Sequence, residues 1–154
     1  MGKIGIPIEI LQKNGKLTFG EFEIIKQHPK IGYRILKDSG NELLKMAQEI
    51  SSFHHEKWNG QGYTEELKGK NIPKSARIVA IVDVFDALMS KRPYKPPFSQ
   101  EKVKLIFAED KCKHFDPELL NIFMSNFDVF LDIYKKISDM NKEDVSDILF
   151  KNKL

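Results

Sequence analysis

"KSARIVAIVDVFDALMS", Lys74 to Ser90, is the stretch on which the fold class turns. Ile78, Val79, Ile81, Val82 and Phe85 make it a strongly apolar run with no strand-like alternation, and the proline-rich "RPYKPPF" stops it, so it reads as a helix over about 74–90. Asp83 is the anomaly within it, because its apolar neighbours leave it no polar face. An uncompensated buried carboxylate costs several kcal/mol, so Asp83 is expected to meet a cation or hydrogen-bond donors. Asp86, three positions on, falls on a neighbouring flank.

Helical signals continue on both sides. Upstream, Asn14-Gly15 marks a turn, and Thr18 with Glu21 three places later is a capping-box pattern that starts a helix. Pro29 removes a backbone donor, so this helix is expected to kink or restart right after His28. Residues 42 to about 56 form the next helix, with Leu43, Ala47, Ile50 and His54 on one core-facing stripe. Residues 57–73, carrying Gly60, Gly62, Gly69 and Pro73, read as an irregular loop. Downstream, Ser99 caps a helix to about Asp110, and Asp116 followed by Pro117 opens one through "ELLNIFMSNFDVFLDIYKKI". Asn141 caps a short last helix over "KEDVSDILF". With no repeats and no low-complexity segment, the expected fold class is all-α, a helical bundle.

At 154 residues the chain has the length of one domain, and its 41% hydrophobic and 31% charged composition is that of a globular protein. The net charge of +3 rests on scattered lysines and only three arginines, Arg34, Arg77 and Arg92; a dedicated DNA or RNA binder would gather them into a basic face. The lone Cys112 cannot form an internal disulfide, and no run approaches the roughly 20 apolar residues of a membrane span, so a cytoplasmic location is expected.

Three features carry chemistry. The first is Asp83. The second is the pair His54-His55 at the head of "HHEKWNGQGYT". Adjacent helical residues diverge by roughly 100°, so such neighbours suit two ions side by side, or one ion and a substrate group, better than one shared ion. Together with His28, before Pro29, they offer three imidazoles and one carboxylate from three helices, the ligand types of zinc, manganese or iron. The third is "KRPYK", where Arg92 and Lys95 offer a planar fork and a point charge for phosphate oxygens.

These residues, in this order, resemble the HD-GYP family of cyclic dinucleotide phosphodiesterases. The resemblance runs from Gly2 to about Leu120 through "GKIGIP", "EFEIIKQHPKIGYRIL", "HHEKWNGQGY", "IPKSARIVAIVDVFDAL", "RPYK" and "HFDPELL". It implies an HD-type helical bundle that binds two or three iron or manganese ions and hydrolyses cyclic di-GMP with a metal-activated water. It further implies that His28, His54, His55 and Asp83 are metal ligands. Lys3, Arg92 and Lys95 would hold substrate phosphate, Lys3 being also the catalytic candidate, and Gly62 and Tyr63 would form the substrate-facing signature loop. On this reading residues 1–137 are the HD-GYP-like domain and 138–154 a C-terminal helix or tail. The implied partners are cyclic di-GMP and diguanylate cyclase (GGDEF) domains.

The match departs from the family at two places. The His-Asp pair that names the superfamily would stand immediately before Met1, and the helices before it are absent. Met1 is therefore expected to be an internal methionine, and the chain the C-terminal part of a longer signalling protein. Thr64 stands where the family motif has proline, which frees φ and softens the loop. The alternative that these departures raise is a module without hydrolytic activity that binds a cyclic dinucleotide or docks a protein.

Overall fold

A computed structural model describes residues 2–37, 40–90 and 96–139, and among these the chain forms helices and no strand. A 3-10 turn, Gly2–Gly5, leads into α1 (Ile8–Leu11), α2 (Phe19–Ile25), α3 (His28–Leu36), α4 (Glu42–Phe53), α5 (Lys74–Met89), α6 (Gln100–Glu109), α7 (Pro117–Ser125) and α8 (Phe127–Asp139). The all-α expectation is met. By its internal contacts the chain divides into two units, Met1–Leu120 and Asn121–Leu154.

The helix starts lie where side chains can satisfy free backbone N–H groups. Thr18 and Glu21 form the reciprocal capping box at α2, Asn41 accepts from Leu43 N at α4, and Ser99 accepts from Lys102 N at α6. Asp116 Oδ1 accepts from both Glu118 N and Leu119 N at 2.8 and 3.2 Å, which starts α7 with Pro117 in its first turn.

Four boundaries differ from expectation. The chain breaks at Lys26-Gln27, just before His28, and α3 begins at His28 with Pro29 in its first turn, where the missing N–H is not needed. Helix α4 stops at Phe53 rather than near residue 56, so His54 is its C-cap. The last long helix divides at Asn126, whose side chain bonds back to Ile122 O at 2.8 Å. The short α1 was not foreseen. The cap proposed at Asn141 lies outside the described residues.

The first unit is built on a chain of neighbours: the 3-10 turn lies on α3, α3 on α4, α4 on α5, and α5 on α6. Its core holds Ile6, Leu36, Ile72, Ala76, Ala80, Ile81, Phe85, Val103, Phe107 and Phe115. Helices α3 and α4 meet at Gly32, where an added Cβ would fall 1.9 Å from Ser51 Oγ, so the contact admits only glycine. Ser51 and Ser52 form the buried face of α4, whereas Leu43, expected on its core stripe, is 70% exposed. Small side chains face the close helix and leave the larger ones outward.

Asp83 is the largest correction. It lies on the exposed side of α5, the helix burying instead Ala76, Ala80, Ile81 and Phe85. A buried ion pair that the sequence reading did not foresee lies one turn inside the start of this helix: Arg77 Nη1 meets Asp116 Oδ2 at 2.5 Å with the Asp116 side chain only 1% exposed, while Arg77 Nε donates to Ile72 O. In the second unit Phe123, Phe127 and Leu131 are buried, and the Phe123 ring packs against Phe127 and Phe130 at centroid distances of 5.9 and 4.8 Å.

Candidate metal centre

Three histidines converge in the first unit. His28 Nε2 lies 3.2 Å from His54 Nε2 and 3.2 Å from His55 Nε2, and one ligand atom from each of the three falls within 4.8 Å of the others. His28, at the start of α3, is 3% exposed, and the other two are half-buried. The tandem pair stands at the very end of α4, His54 being its C-cap with its N–H still on Ile50 O, and the His54 and His55 rings sit 4.0 Å apart.

Backbone carbonyls fix the ring tautomers. His28 Nδ1–H donates to Ile25 O at 2.7 Å, and His54 Nδ1–H donates to Ile50 O at 2.9 Å and Ser51 O at 3.1 Å. A neutral ring whose Nδ1 donates carries its lone pair on Nε2. Burial, the dominant cause at each, holds all three rings neutral: it lowers the pKa values of His28 and His54, and His55 is pushed down to about 3, helped by the charges of His54 and His28. Two unprotonated nitrogens, those of His28 and His54, thus face each other at 3.2 Å, an arrangement that repels unless a cation lies between them. Neutral imidazoles oriented through Nδ1–H to carbonyls are the donor set of a divalent transition metal, so the residues fit one.

The other sequence-derived candidates fall around this cluster. Lys3 is exposed on the 3-10 turn, near enough that its charge depresses both His28 and His55. Asp83 is outside the three-histidine group, but its charge acts on His54, Tyr63 and His114. Tyr63 stacks on His55 with ring centroids 4.7 Å apart and 23° between planes, and burial and then Asp83 push its hydroxyl pKa up. Tyr63 N also donates to His55 O at 3.3 Å. Gly62 lets the loop lie this close, since a Cβ there would fall 2.5 Å from both Glu56 Cα and Lys57 N. Arg92 and Lys95 lie outside the described residues.

Sequence reasoning gave no role to Glu56. Its side chain is 2% exposed, and its Oε1 accepts from Glu65 N at 2.8 Å, tying the loop after Tyr63 to the end of α4. Burial raises its pKa. The available signal was its place between two ligand-type histidines and a glycine-rich loop. Thr64 also departs from expectation: its φ of 126° is in a region closed to proline, so this loop takes a path that the family's proline could not follow.

Comparisons with known proteins converge on one family. The sequence model of the family described as "HD domain" matches residues 1–119. A cyclic di-GMP phosphodiesterase of Vibrio cholerae is 44% identical over 144 residues, covering 90% of this chain and 29% of that protein. A cyclic di-GMP phosphodiesterase of Thermotoga maritima is 44% identical over 139 residues, 90% of this chain and 38% of its own. A 3'3'-cGAMP-specific phosphodiesterase, also of Vibrio cholerae, is 42% identical over 139 residues, 90% of this chain and 27% of its own. The chain thus spans well under half the length of these relatives, and no described helix is long and apolar enough to cross a membrane.

Proposed function

Because the chain belongs to the HD domain family, with relatives that agree with its HD-GYP resemblance, we propose that it carries the metal centre of a cyclic di-GMP phosphodiesterase. The observation that carries this reading is the convergence of three Nε2 atoms, with the Nδ1 protons of His28 and His54 already committed to helix-end carbonyls. His28, His54 and His55 hold the ion, Asp83 supplies a carboxylate from α5, and iron or manganese, in two or three sites, is the metal. When bound, the metal supplies Lewis-acid activation of the phosphodiester and of the attacking water. Lys3 pairs with the substrate phosphate from one side, and Arg92 and Lys95 do so from the segment after α5. Tyr63, held flat on His55 by Gly62 and Glu56, keeps that imidazole oriented and shields the centre from water. Residues 1–137 form the catalytic-type domain and 138–154 its tail, and GGDEF domains are partners.

The test is hydrolysis of cyclic di-GMP and of 3'3'-cGAMP by the manganese- or iron-loaded protein, with linear dinucleotide and mononucleotide products separated by chromatography. Turnover of cyclic di-GMP that His54→Ala and Asp83→Ala each abolish is expected. Unchanged turnover in both variants overturns the assignment of the centre. Binding without any product transfers the chain to the non-hydrolytic binding modules.

A further inference from the structure

A cavity of about 480 Å³ opens between α3, the last turn of α4 and the loop at Thr64, lined by Lys30, Tyr33, Arg34, Lys37, Ser52, Phe53, Thr64 and Glu65. None of the three converging histidines lines it, so it is a separate site. Its volume falls within the ~300–1,000 Å³ of small-molecule pockets. Lys30 and Arg34 lie one turn apart on α3 and Lys37 is its C-cap, and all three line the same opening. Among the described residues none of the three is in an ion pair, and Glu65 is the one acid in the lining. Three cations against one carboxylate leave the cavity with an excess of two positive charges.

Of the remaining lining Tyr33 and Phe53 are aromatic, Ser52 Oγ donates to Gln48 O at 2.9 Å, and Thr64 Oγ1 is buried without a hydrogen-bond partner. A simple inorganic anion would leave these ring surfaces unused, and a neutral aromatic would leave three cations unpaired. We propose that this cavity binds a mononucleotide-sized organic phosphate, its flat ring against Tyr33 and Phe53 and its phosphate against the Arg34 fork with Lys30 and Lys37. The inference is independent of whether the histidine centre hydrolyses anything.

The experiment is calorimetric titration of the protein with guanosine monophosphate, and separately with inorganic phosphate, in the presence of a metal chelator so that the histidines cannot recruit the nucleotide through an ion. Expected are saturable binding of the nucleotide, much weaker binding of phosphate, and affinity that falls with salt. Arg34→Gln, an exposed substitution, should weaken nucleotide binding about tenfold or more, the loss of one charge-assisted pair. Tyr33→Leu should weaken the nucleotide and leave phosphate unchanged, and His54→Ala should alter neither. No binding, equal affinity for phosphate and nucleotide, or loss in His54→Ala with Arg34→Gln unaffected would each overturn the proposal. Unchanged helical circular dichroism in Arg34→Gln, with the same loss repeated in Lys37→Gln, ties the effect to the cavity rather than to folding.

Discussion

Thr64 holds a β-branched side chain at φ 126°, a conformation that such residues reach only under constraint, at roughly 1–3 kcal/mol. The constraint is visible on both sides, in the Gly62 contact with the end of α4 and in the Glu56 bond to Glu65 N. Thr64→Gly should therefore raise stability by roughly 0.5–1 kcal/mol once glycine's greater freedom in the unfolded chain is counted, an increase of a few degrees in thermal melting. Thr64→Pro, although it restores the residue of the family motif, should lower the melting temperature, because the ring fixes φ near −65°. At Gly62 the expectation is functional: Gly62→Ala forces the loop off the His55 backbone, and manganese affinity should fall by about tenfold or more, the usual effect of losing a support of a metal ligand. Isothermal titration of metal measures it, and the tyrosine fluorescence of Tyr63 reports whether the stacking has gone. The ligand-type histidines were legible from their tandem spacing, but the conformation of the loop was not: φ at residue 64 is imposed by contacts with Glu56 and Lys57, which no local pattern encodes.

At the scale of elements, the caps read from the sequence within the described residues formed because they are local. Thr18, Ser99 and Asp116 each bond to backbone two or three residues away, and their effect needs no tertiary partner. What failed was the inference from apolar periodicity to facing. In α5, apolar residues surround Asp83, yet Ile78 and Val82 are 44% and 43% exposed, so the helix has an apolar outer side and the carboxylate stands in it. The true buried carboxylate, Asp116, was recognised as a cap, but its second role depends on Arg77, 39 residues earlier. Asp116→Ala removes the α7 cap and leaves the half-buried guanidinium unpaired, which should cost about 3–5 kcal/mol in chemical denaturation. The double variant Arg77→Met with Asp116→Leu should lose less than the single one, because no charge is then stranded.

At the scale of the molecule, four histidines are held below their ordinary pKa, each chiefly by burial: His28, His54, His55 and His114. A depressed histidine binds fewer protons folded than unfolded, so its contribution to stability is complete above the unfolded value of 6.5 and is lost as pH falls below it. Without metal, the melting temperature should drop steadily from pH 7 toward pH 4, with a shallower drop in His55→Gln, whose pKa near 3 in the native chain keeps its contribution falling over the widest range. A flat profile in circular dichroism melts would contradict this origin. The all-α class and the ordering of motifs were legible over the first unit because so many signals agree along it.

The carbonyls that orient the histidines are themselves the loose ends of helices. Ile25 O closes α2, while Ile50 O and Ser51 O stand in the last turn of α4, where helix carbonyls lack an intrahelical partner or share one. The His28 and His54 imidazoles are thus clasps on helix ends as well as members of the proposed metal centre. A cation drawing electron density from Nε2 makes Nδ1–H a stronger donor, so loading the site tightens both clasps. Amide hydrogen exchange at Lys26, Gln27 and His54, at the ends of these two helices, should slow on adding manganese and quicken on chelation, making the fraying of two helix ends a readout of the centre that needs no substrate.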